Sequence, residues 1–498
     1  MRYFISPELH RNLWQKFSTL HLVSVPFVLA MLCFIASKTD VDNPETAING
    51  LMTVIFYLVF YVWGIYEAGT AVQDEVKSRT WDLQRMSAMS PCHLAFGKFF
   101  GVVSYTWYAG LATLAIFAYT FPLRGFSGWK SSTGATLEQT AYIVFFMFMI
   151  GVVGQGVAFL LSFADLSAAI KEKKKSRLPK ANLPLLVGLF TSFTLHQFVM
   201  EGLLRGRLGT EGLYRYNKLV TWFSAEYMRE DFMVFTLLFF ALLIFYGIYR
   251  MMRIELMYPV WPVGWTLTAL LIAGYSIGFM TVKSPTEQIV AAFMVYLMML
   301  VAAYGAMIKE ADDWQKLGRF AARIRGRNWR GALQGAPSWV TAAAASLACM
   351  AVMSWLAWHA HRTESDDKAL HAIVLSATMF LFAVRDGIVM HLIFRLSAKT
   401  ARFGFVLYYL VIYGLLPTVH MLLLNSVFSA SDLANAVEKY LRKGTFGDKI
   451  DKITDVMSWY YPSLSLDVGV FVPVLVQIAL LALWWRNVLV KGRVGHGA

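Results

Sequence analysis

Long runs of apolar residues recur along the chain and are separated by shorter polar segments. A helix needs about 20 apolar residues to cross the ~30 Å hydrocarbon layer of a membrane. The pattern therefore predicts an all-α polytopic membrane protein with about 12 transmembrane helices. These runs lie near residues 18–37, 51–69, 98–120, 140–164, 184–203, 231–252, 262–281, 287–308, 339–359, 371–391, 404–424 and 464–486.

The predicted spans divide into two halves of six helices each. The sixth run ends in an aromatic and basic segment, Tyr249 to Arg253, and the twelfth ends similarly in Trp485 and Arg486. We therefore expect a first transmembrane half over residues 18–253 and a second over residues 254–498.

Residues 1–17 precede the first span and predict a short amphipathic helix at the membrane interface. Ser6 is suited to cap this helix, Pro7 to occupy its first position, and Glu8 to lie at its positively polarised end. Apolar side chains then recur at helical spacing on one face, at Leu9, Leu13, Trp14 and Phe17. No small-residue cleavage site follows the first apolar run, so we expect that run to be a retained span.

Composition and charge support a membrane protein and indicate its orientation. Hydrophobic residues make up 57% of the chain and charged residues only 15%, which excludes an ordinary soluble protein. The formal net charge is +14, and basic clusters follow the fourth and eighth runs, at residues 171–180 and 319–330. Such clusters are typical of cytoplasmic loops, so we expect both termini in the cytoplasm of a bacterial inner membrane. They predict contact with the lipid bilayer and no nucleic-acid partner.

The segment between the second and third runs predicts an amphipathic cytoplasmic helix over residues 71–89. On a helix, one face would carry Val72, Val76, Arg79, Leu83 and Met86. Charged residues cover much of the remaining surface. Ser90 is then suited to cap, and Pro91 to open, the helix that becomes the third span.

This segment resembles the coupling helix of ABC-2 type permeases, the membrane-spanning subunits of ATP-driven exporters. The resemblance covers about 30 residues closely. It is carried by Glu75, Arg79, Thr80, Trp81, Leu83, Ser87, Ser90, Pro91, Gly97 and Lys98. The resemblance implies that the helix docks into a groove of a separate ATPase subunit. It also implies that ATP is bound by that partner and that this chain holds no cofactor.

The chain contains no Walker A pattern of the form GxxxxGK[ST], so we expect ATP hydrolysis to require a partner. The glycines at 151, 154 and 156 lie inside the fourth run and predict close helix packing instead. The corresponding loop of the second half, residues 309–338, holds no close copy of the coupling motif. Two arrangements therefore stay open: one chain that binds two ATPases, or two chains that form a homodimer.

Few ionisable residues interrupt the predicted spans, and each is a candidate for packing or for transport. Arg385 and Asp386 are adjacent in the tenth run, so each is expected to find a partner on another helix. His196 and Glu201 lie in the fifth run. Near the outer ends of the ninth and tenth runs lie residues of types that bind zinc or copper, namely His359, His361, Asp366, Asp367 and His371. An exposed hairpin with several polar residues is the commoner explanation, so no metal site is predicted.

Two other classes of function compete with the permease. An ion-coupled carrier would explain 12 spans, but the short basic loop with paired glycines usual in such carriers is absent, and few acidic residues lie mid-span. A polytopic membrane enzyme would need a converging set of reactive side chains near one interface, and only the histidine cluster qualifies. The sequence does not define the substrate.

Overall fold

The structure is a computed structural model of the 498-residue chain. It describes residues 6–40, 42–77, 80–86, 89–124, 137–171, 183–205, 219–280, 282, 284–310, 314–364, 367–396, 404, 407–417, 460, 462 and 471–494. Contacts divide the chain into two units, of which the first comprises Met1–Val220 with Glu226–Val260 and the second Thr221–Ala225 with Trp261–Ala498.

The described residues of the first unit are almost entirely helical. Its helices are α1 (Pro7–Lys16), α2 (Thr19–Thr39), α3 (Pro44–Phe56), α4 (Gly64–Lys77), α5 (Thr80–Arg85), α6 (Pro91–Arg124), α7 (Leu137–Lys171), α8 (Leu183–Arg205) and α9 (Arg229–Glu255). A π-helical turn, Tyr57–Trp63, joins α3 to α4. Two short strands, β1 (Leu219–Trp222) and β2 (Ala225–Met228), precede α9.

The second unit is also helical where it is described. Its helices are α10 (Val263–Ile277), α11 (Pro285–Glu310), α12 (Trp314–Arg325), α13 (Trp329–Gln334), α14 (Ser338–Glu364), α15 (Asp367–Leu396) and α16 (Phe471–Val494), with a π-helical segment at Leu410–Leu415. Within this unit α11 packs against α10, α14 and α15, and α15 packs against α16.

Eight of the described helices are long and apolar enough to cross a membrane. They are Thr19–Thr39, Pro44–Val76, Pro91–Phe121, Thr140–Phe163, Arg229–Glu255, Pro285–Ile308, Ser338–Arg362 and Leu370–Phe394. The second of these combines α3, the π-helical turn and most of α4. The chain is thus an all-α polytopic membrane protein, as its apolar pattern predicts.

The other four predicted spans are not among these eight helices. The run near 184–203 forms α8, whereas α10 is an apolar helix of only 15 residues and the apolar part of α16 is Phe471–Trp484. The run near 404–424 is described only at residue 404 and over residues 407–417. The count of twelve therefore stays a prediction.

Aromatic side chains and glycines build the core of the first unit together. Phe60 lies between α6 and α7, and a Cβ at Gly110 or at Gly151 would overlap its ring. A Cβ at Gly154 would overlap the Ser192 hydroxyl of α8, and one at Gly156 would crowd Ile244 of α9. The predicted role of these α7 glycines in close helix packing is confirmed.

A buried glutamine connects the π-helical turn to two further helices. Gln155 of α7 donates from Nε2 to the Phe60 carbonyl at 2.8 Å, and its Oε1 accepts from the Trp107 indole of α6 at 2.6 Å. Gln155 is fully buried, so both bonds lie away from water. They satisfy polar groups that would be costly to leave unpaired inside a membrane protein.

Candidate functional site

Helix α5 lies in the segment that resembles a coupling helix, and its inner face is buried. Trp81 and Gln84, three residues apart on one face, are 2% and 6% exposed. The Trp81 ring packs against Phe163 of α7, with ring centroids 6.2 Å apart. The sequence motif suggested that Trp81 faces a partner, whereas the structure places it in the core of this chain.

Lys98, in the second turn of α6, lies completely buried beneath α5. Its ammonium group pairs with the Glu75 carboxylate of α4 and donates a hydrogen bond to the Gln84 side chain. It also lies over the Trp81 ring, 4.5 Å from the centroid, which is cation–π geometry. Lys98 therefore joins the ends of three helices.

Helix α1 completes this group of charges from the other side. Arg11 Nη2 lies 3.0 Å from Glu75 Oε1 and 2.7 Å from Glu8 Oε1, and Lys98 Nζ lies 4.0 Å from Glu8 Oε1. Two carboxylates therefore face two cations in a largely buried setting. We call Glu8, Arg11, Glu75, Gln84 and Lys98 the Lys98 network.

Close packing of α1 on α6 makes the Lys98 network possible. Ser6 accepts a hydrogen bond from the Leu9 amide at 3.1 Å and Pro7 opens α1, so the predicted cap is confirmed. A Cβ at Gly97 would overlap the Ser6 hydroxyl, which shows how closely the two helices approach. Asn12 also donates to the Gly97 carbonyl at 3.4 Å.

The outer face of α5 is apolar and exposed. Leu83 is 66% exposed and Met86 76% exposed, and the Asp82 carboxylate lies beside them. We call these three residues the α5 surface. Two shallow grooves flank α5, with volumes of about 410 and 320 Å³. Asp82, Arg85, Met86, Glu255, Leu256 and Met257 line the first, and Pro7, Glu8, Arg11, Thr80, Leu83, Gln84 and Met89 line the second.

Thr80, Ser90 and Pro91 of the motif lie at the ends of these helices. The Thr80 hydroxyl donates to the Glu75 carbonyl at 3.3 Å, and Ser90 accepts from the His93 amide at 3.3 Å. Pro91 is the first residue of α6, so the predicted cap and start of this helix are confirmed. Arg79 and Ser87 lie outside the described residues, and so does the continuity of the predicted helix over residues 71–89.

Sequence reasoning missed Glu8, Arg11 and Gln84 as members of the Lys98 network. Gln84 follows Trp81 at helical spacing, and that spacing was the available signal for a shared buried face. Nothing in the sequence indicates that α1 lies against α6, because that contact joins segments about 85 residues apart.

A second group of polar side chains lies within the second unit. Asp386 and Arg385 of α15 are 1% and 3% exposed, and they pair with each other at 2.9 Å. The expected partners on other segments are present. The partners are Tyr304 of α11, Tyr408, Tyr409 and Tyr413 of the 407–417 segment, and Gln477 of α16. We call these seven residues the Asp386 cluster.

The Asp386 carboxylate has more hydrogen-bond donors around it than it has lone-pair sites. Six donor contacts between 2.7 and 3.2 Å reach its two oxygens, which offer about four lone-pair sites. Arg385 also donates to Gln477 at 2.8 Å and to Tyr413 at 2.6 Å. The ion pair is therefore neutral overall and surrounded by donors, as a charge within a helix bundle requires.

The other predicted polar positions have ordinary surroundings. His196 Nε2 lies 2.6 Å from the Tyr57 hydroxyl, while the side chain of Glu201 lies outside the described residues. His359 stacks on Trp355, and His361 lies near Trp358. Within the part of the chain that the structure describes, no three His, Cys, Asp or Glu side chains gather as metal ligands would.

Comparison of the chain with protein-family models, with curated proteins and with solved structures finds no match in any of the three.

Proposed function

We propose that this chain is the permease subunit of an ABC-2 type transporter, with about 12 transmembrane helices in two halves. It moves a substrate across a bacterial inner membrane, in the export direction, and both of its termini are cytoplasmic. A separate ATPase subunit binds and hydrolyses the ATP. The sequence resemblance over residues 71–98 supports the class, and the geometry around α5 supports the mechanism.

One observation carries the proposal: α5 presents apolar side chains outward while its inner face is anchored to three other helices. Leu83 is exposed on a helix of only six residues, and Met86, which is also exposed, directly follows that helix. Such a helix would not be stable alone, so its position depends on the buried Trp81 and Gln84 beneath it. An exposed apolar surface on a rigid support is typical of a protein-binding site.

The Lys98 network connects the α5 surface to two membrane-spanning helices. Glu75 lies at the end of the second span and Lys98 at the start of the third, so α5 is tied directly to both spans. Movement imposed on α5 by closure of two ATPase subunits would therefore move both spans together. A flexible loop would absorb the same movement, whereas rigid packed elements transmit it.

The proposal is tested by replacing an exposed residue of the α5 surface. Leu83→Asp should leave folding intact because the side chain is 66% exposed, yet should weaken binding of the ATPase by about 1–3 kcal/mol. The transport rate should fall in proportion to the loss of bound ATPase. Affinity is measured between the purified permease in nanodiscs and the ATPase subunit that copurifies with it.

The second half provides a matched control for this substitution. Leu333 of α13 is 64% exposed and lies in the loop that corresponds to the α5 segment. Leu333→Asp should leave ATPase binding unchanged, because the coupling motif is not repeated there. Equal loss from both substitutions would instead indicate two ATPase sites on one chain. Normal binding and transport by Leu83→Asp would refute the proposal.

An ion-coupled carrier is the second candidate, and the Asp386 cluster is the observation that favours it. A buried carboxylate in a span is a common element of ion and proton pathways. In proteoliposomes without any ATPase, a carrier would transport in response to an imposed proton or sodium gradient. The permease should show no such transport and no ATP hydrolysis when purified alone.

A further inference from the structure

Helix α12 of the second unit is basic on one face and apolar on the other. Its apolar side chains recur at intervals of three and four residues, at Leu317, Phe320 and Ile324. Ile324 is exposed and the other two are half-buried. The opposite face carries Arg319 and Arg323. A helix with this division of side chains is typical of the membrane interface, where the apolar face enters the lipid and the basic face meets the headgroups.

The segment from α12 to the end of α13 carries positive charge that the protein leaves unneutralised. We call residues 314–334 the basic segment. It contains six Lys or Arg residues and no Asp or Glu. Lys316 pairs with Glu310 at 2.7 Å, and Arg323 donates to the Gly331 carbonyl at 2.8 Å. Within the described part of the chain no carboxylate pairs with the other four, which are Arg319, Arg325, Arg327 and Arg330. All four are exposed.

Short connections hold the basic segment beside the ends of two spans. Only residues 309–313 separate α12 from the span Pro285–Ile308, and only residues 335–337 separate α13 from the span that begins at Ser338. Glu310, the last residue of α11, pairs with Lys316 and accepts a hydrogen bond from the Ser338 amide at 2.7 Å. The first turn of α12 therefore lies where α11 ends and α14 begins.

We propose that the basic segment is an interfacial anchor that binds the anionic phospholipids of the leaflet beside it. The apolar face of α12 enters the acyl-chain region, and the unpaired guanidinium groups bind lipid phosphates, whose geometry suits paired N–H donors. Trp329, which is 62% exposed on α13, is suited to the headgroup layer. The inference depends on the membrane assignment of the chain and not on the permease function.

An acidic protein surface is the other chemistry that complements a basic helix. The position of the basic segment favours lipid, because the segment is attached at both ends to helices that cross the bilayer. The lipid surface is therefore always beside it, and juxtamembrane clusters of Lys and Arg are attracted to anionic headgroups. A protein partner would have to displace that contact.

Two neighbouring alanines of α12 test whether one face enters the lipid. Ala321 and Ala322 are both exposed, and they point about 100° apart. Ala321 lies on the side of Leu317 and Ile324, whereas Ala322 lies one turn after Arg319. Each is replaced by cysteine in the full chain without its three native cysteines, labelled with a fluorophore, and placed in nanodiscs that contain phosphatidylglycerol.

The two labels should respond to different quenchers. A nitroxide on the lipid acyl chain should quench the label at position 321, and iodide in the buffer should quench the label at position 322. The quenched fraction at position 321 gives the partition of α12 into the lipid. Equal quenching of both labels by iodide would overturn the inference.

Replacement of Arg327 separates the charge of the segment from its folding. Arg327 has φ of 56°, a conformation that favours glycine, so Arg327→Gly should leave the melting temperature equal or higher. It should nevertheless lower the partition of the label at position 321 about fivefold, the usual effect of one basic residue at an anionic surface. Arg327→Lys keeps the charge and should stay within about twofold of the parent. Unchanged partition of Arg327→Gly would overturn the inference.

Lipid composition supplies a second measurement on the parent protein. In nanodiscs of phosphatidylcholine alone the partition of the label at position 321 should fall, and in the phosphatidylglycerol nanodiscs it should fall as salt is raised toward 1 M. Identical partition in the two lipids would show that the charges do not bind lipid and would overturn the inference.

Addition of the copurifying ATPase distinguishes lipid from protein as the partner of the basic segment. The acyl-chain quenching at position 321 should stay unchanged when the ATPase binds. Loss of that quenching together with protection from iodide would show that the ATPase covers the segment, and the inference would be wrong. Failure of any ATPase to bind would refute the permease proposal and leave the lipid measurements as they are.

Discussion

Lys98 and Glu75 form an ion pair between two predicted spans, and the Lys98 side chain in this pair is completely buried. They lie 23 residues apart, on either side of α5. The pair therefore closes the segment that carries the α5 surface into a compact loop. Arg11 adds the N-terminal helix to the same group through its contacts with Glu8 and Glu75.

Removal of one charge from this pair should destabilise the first unit strongly. Lys98→Met leaves the carboxylates of Glu75 and Glu8 without their buried cation, and loss of one partner of a buried pair costs about 3–5 kcal/mol. We expect a lower melting temperature in detergent micelles. The double variant Lys98→Met with Glu75→Gln should recover part of this loss, because neither side chain then carries a charge. Additive losses would show that the two side chains are not coupled.

The Asp386 cluster should tolerate loss of a tyrosine hydroxyl better than loss of the carboxylate. Asp386→Leu leaves Arg385 buried without its counter-ion, at a cost of about 3–5 kcal/mol. Tyr409→Phe removes the longest of the hydrogen bonds, 3.2 Å, from a carboxylate with more donors than lone pairs. Its cost should be under about 1 kcal/mol. Thermal unfolding of both variants in micelles measures the difference in their stability. An equal loss of stability would contradict the conclusion that Asp386 has more donors than lone pairs.

Packing of α1 on α6 should depend on the absence of a side chain at Gly97. In Gly97→Leu the new side chain overlaps Ser6, so α1 should separate from α6 and become sensitive to limited proteolysis. The matched control is Gly50→Ala in α3, where no heavy atom lies within 4 Å of the added Cβ. That control should keep parental protease resistance. Equal resistance of the two variants would show that α1 does not depend on this contact.

Gln155 should be hard to replace because it bonds to two buried groups at once. Gln155→Leu removes both bonds and leaves the buried Trp107 indole without its acceptor, and one such group costs about 1–3 kcal/mol. We expect a lower melting temperature without loss of membrane insertion. Thr191→Val, on the partly buried surface of α8, removes only a bond to the Val187 carbonyl and should cost far less. A comparable loss from both variants would contradict the bridging role of Gln155.

Membrane orientation can be tested with single cysteines in a variant without the native Cys33, Cys92 and Cys349. Cysteines at positions 132, 220 and 445 should react with an impermeant reagent added outside intact cells. Those at 175 and 325 should react only after the membrane is opened, because the basic loops are predicted to be cytoplasmic. Labelling of position 175 in sealed cells would reverse the assignment.

The sequence predicted the local features of this protein well because they depend on neighbouring residues. Apolar run length indicated the eight spans that the described helices contain. The caps at Ser6 and Ser90 were predictable because a serine hydroxyl bonds to an amide three residues later. The glycines of α7 indicated close packing, although the sequence could not name Phe60, Ser192 and Ile244 as their neighbours.

The tertiary structure alone decided which side chains of the coupling segment face outward. Helical periodicity places Trp81 and Leu83 at different angles around α5 but cannot state which angle meets the core. The structure buries Trp81 against Lys98 of α6 and Phe163 of α7, whereas it leaves Leu83 exposed. Contacts between distant segments also formed the Lys98 network and the Asp386 cluster. Buried charges need partners in space, and those partners depend on how the helices pack rather than on their order in the chain.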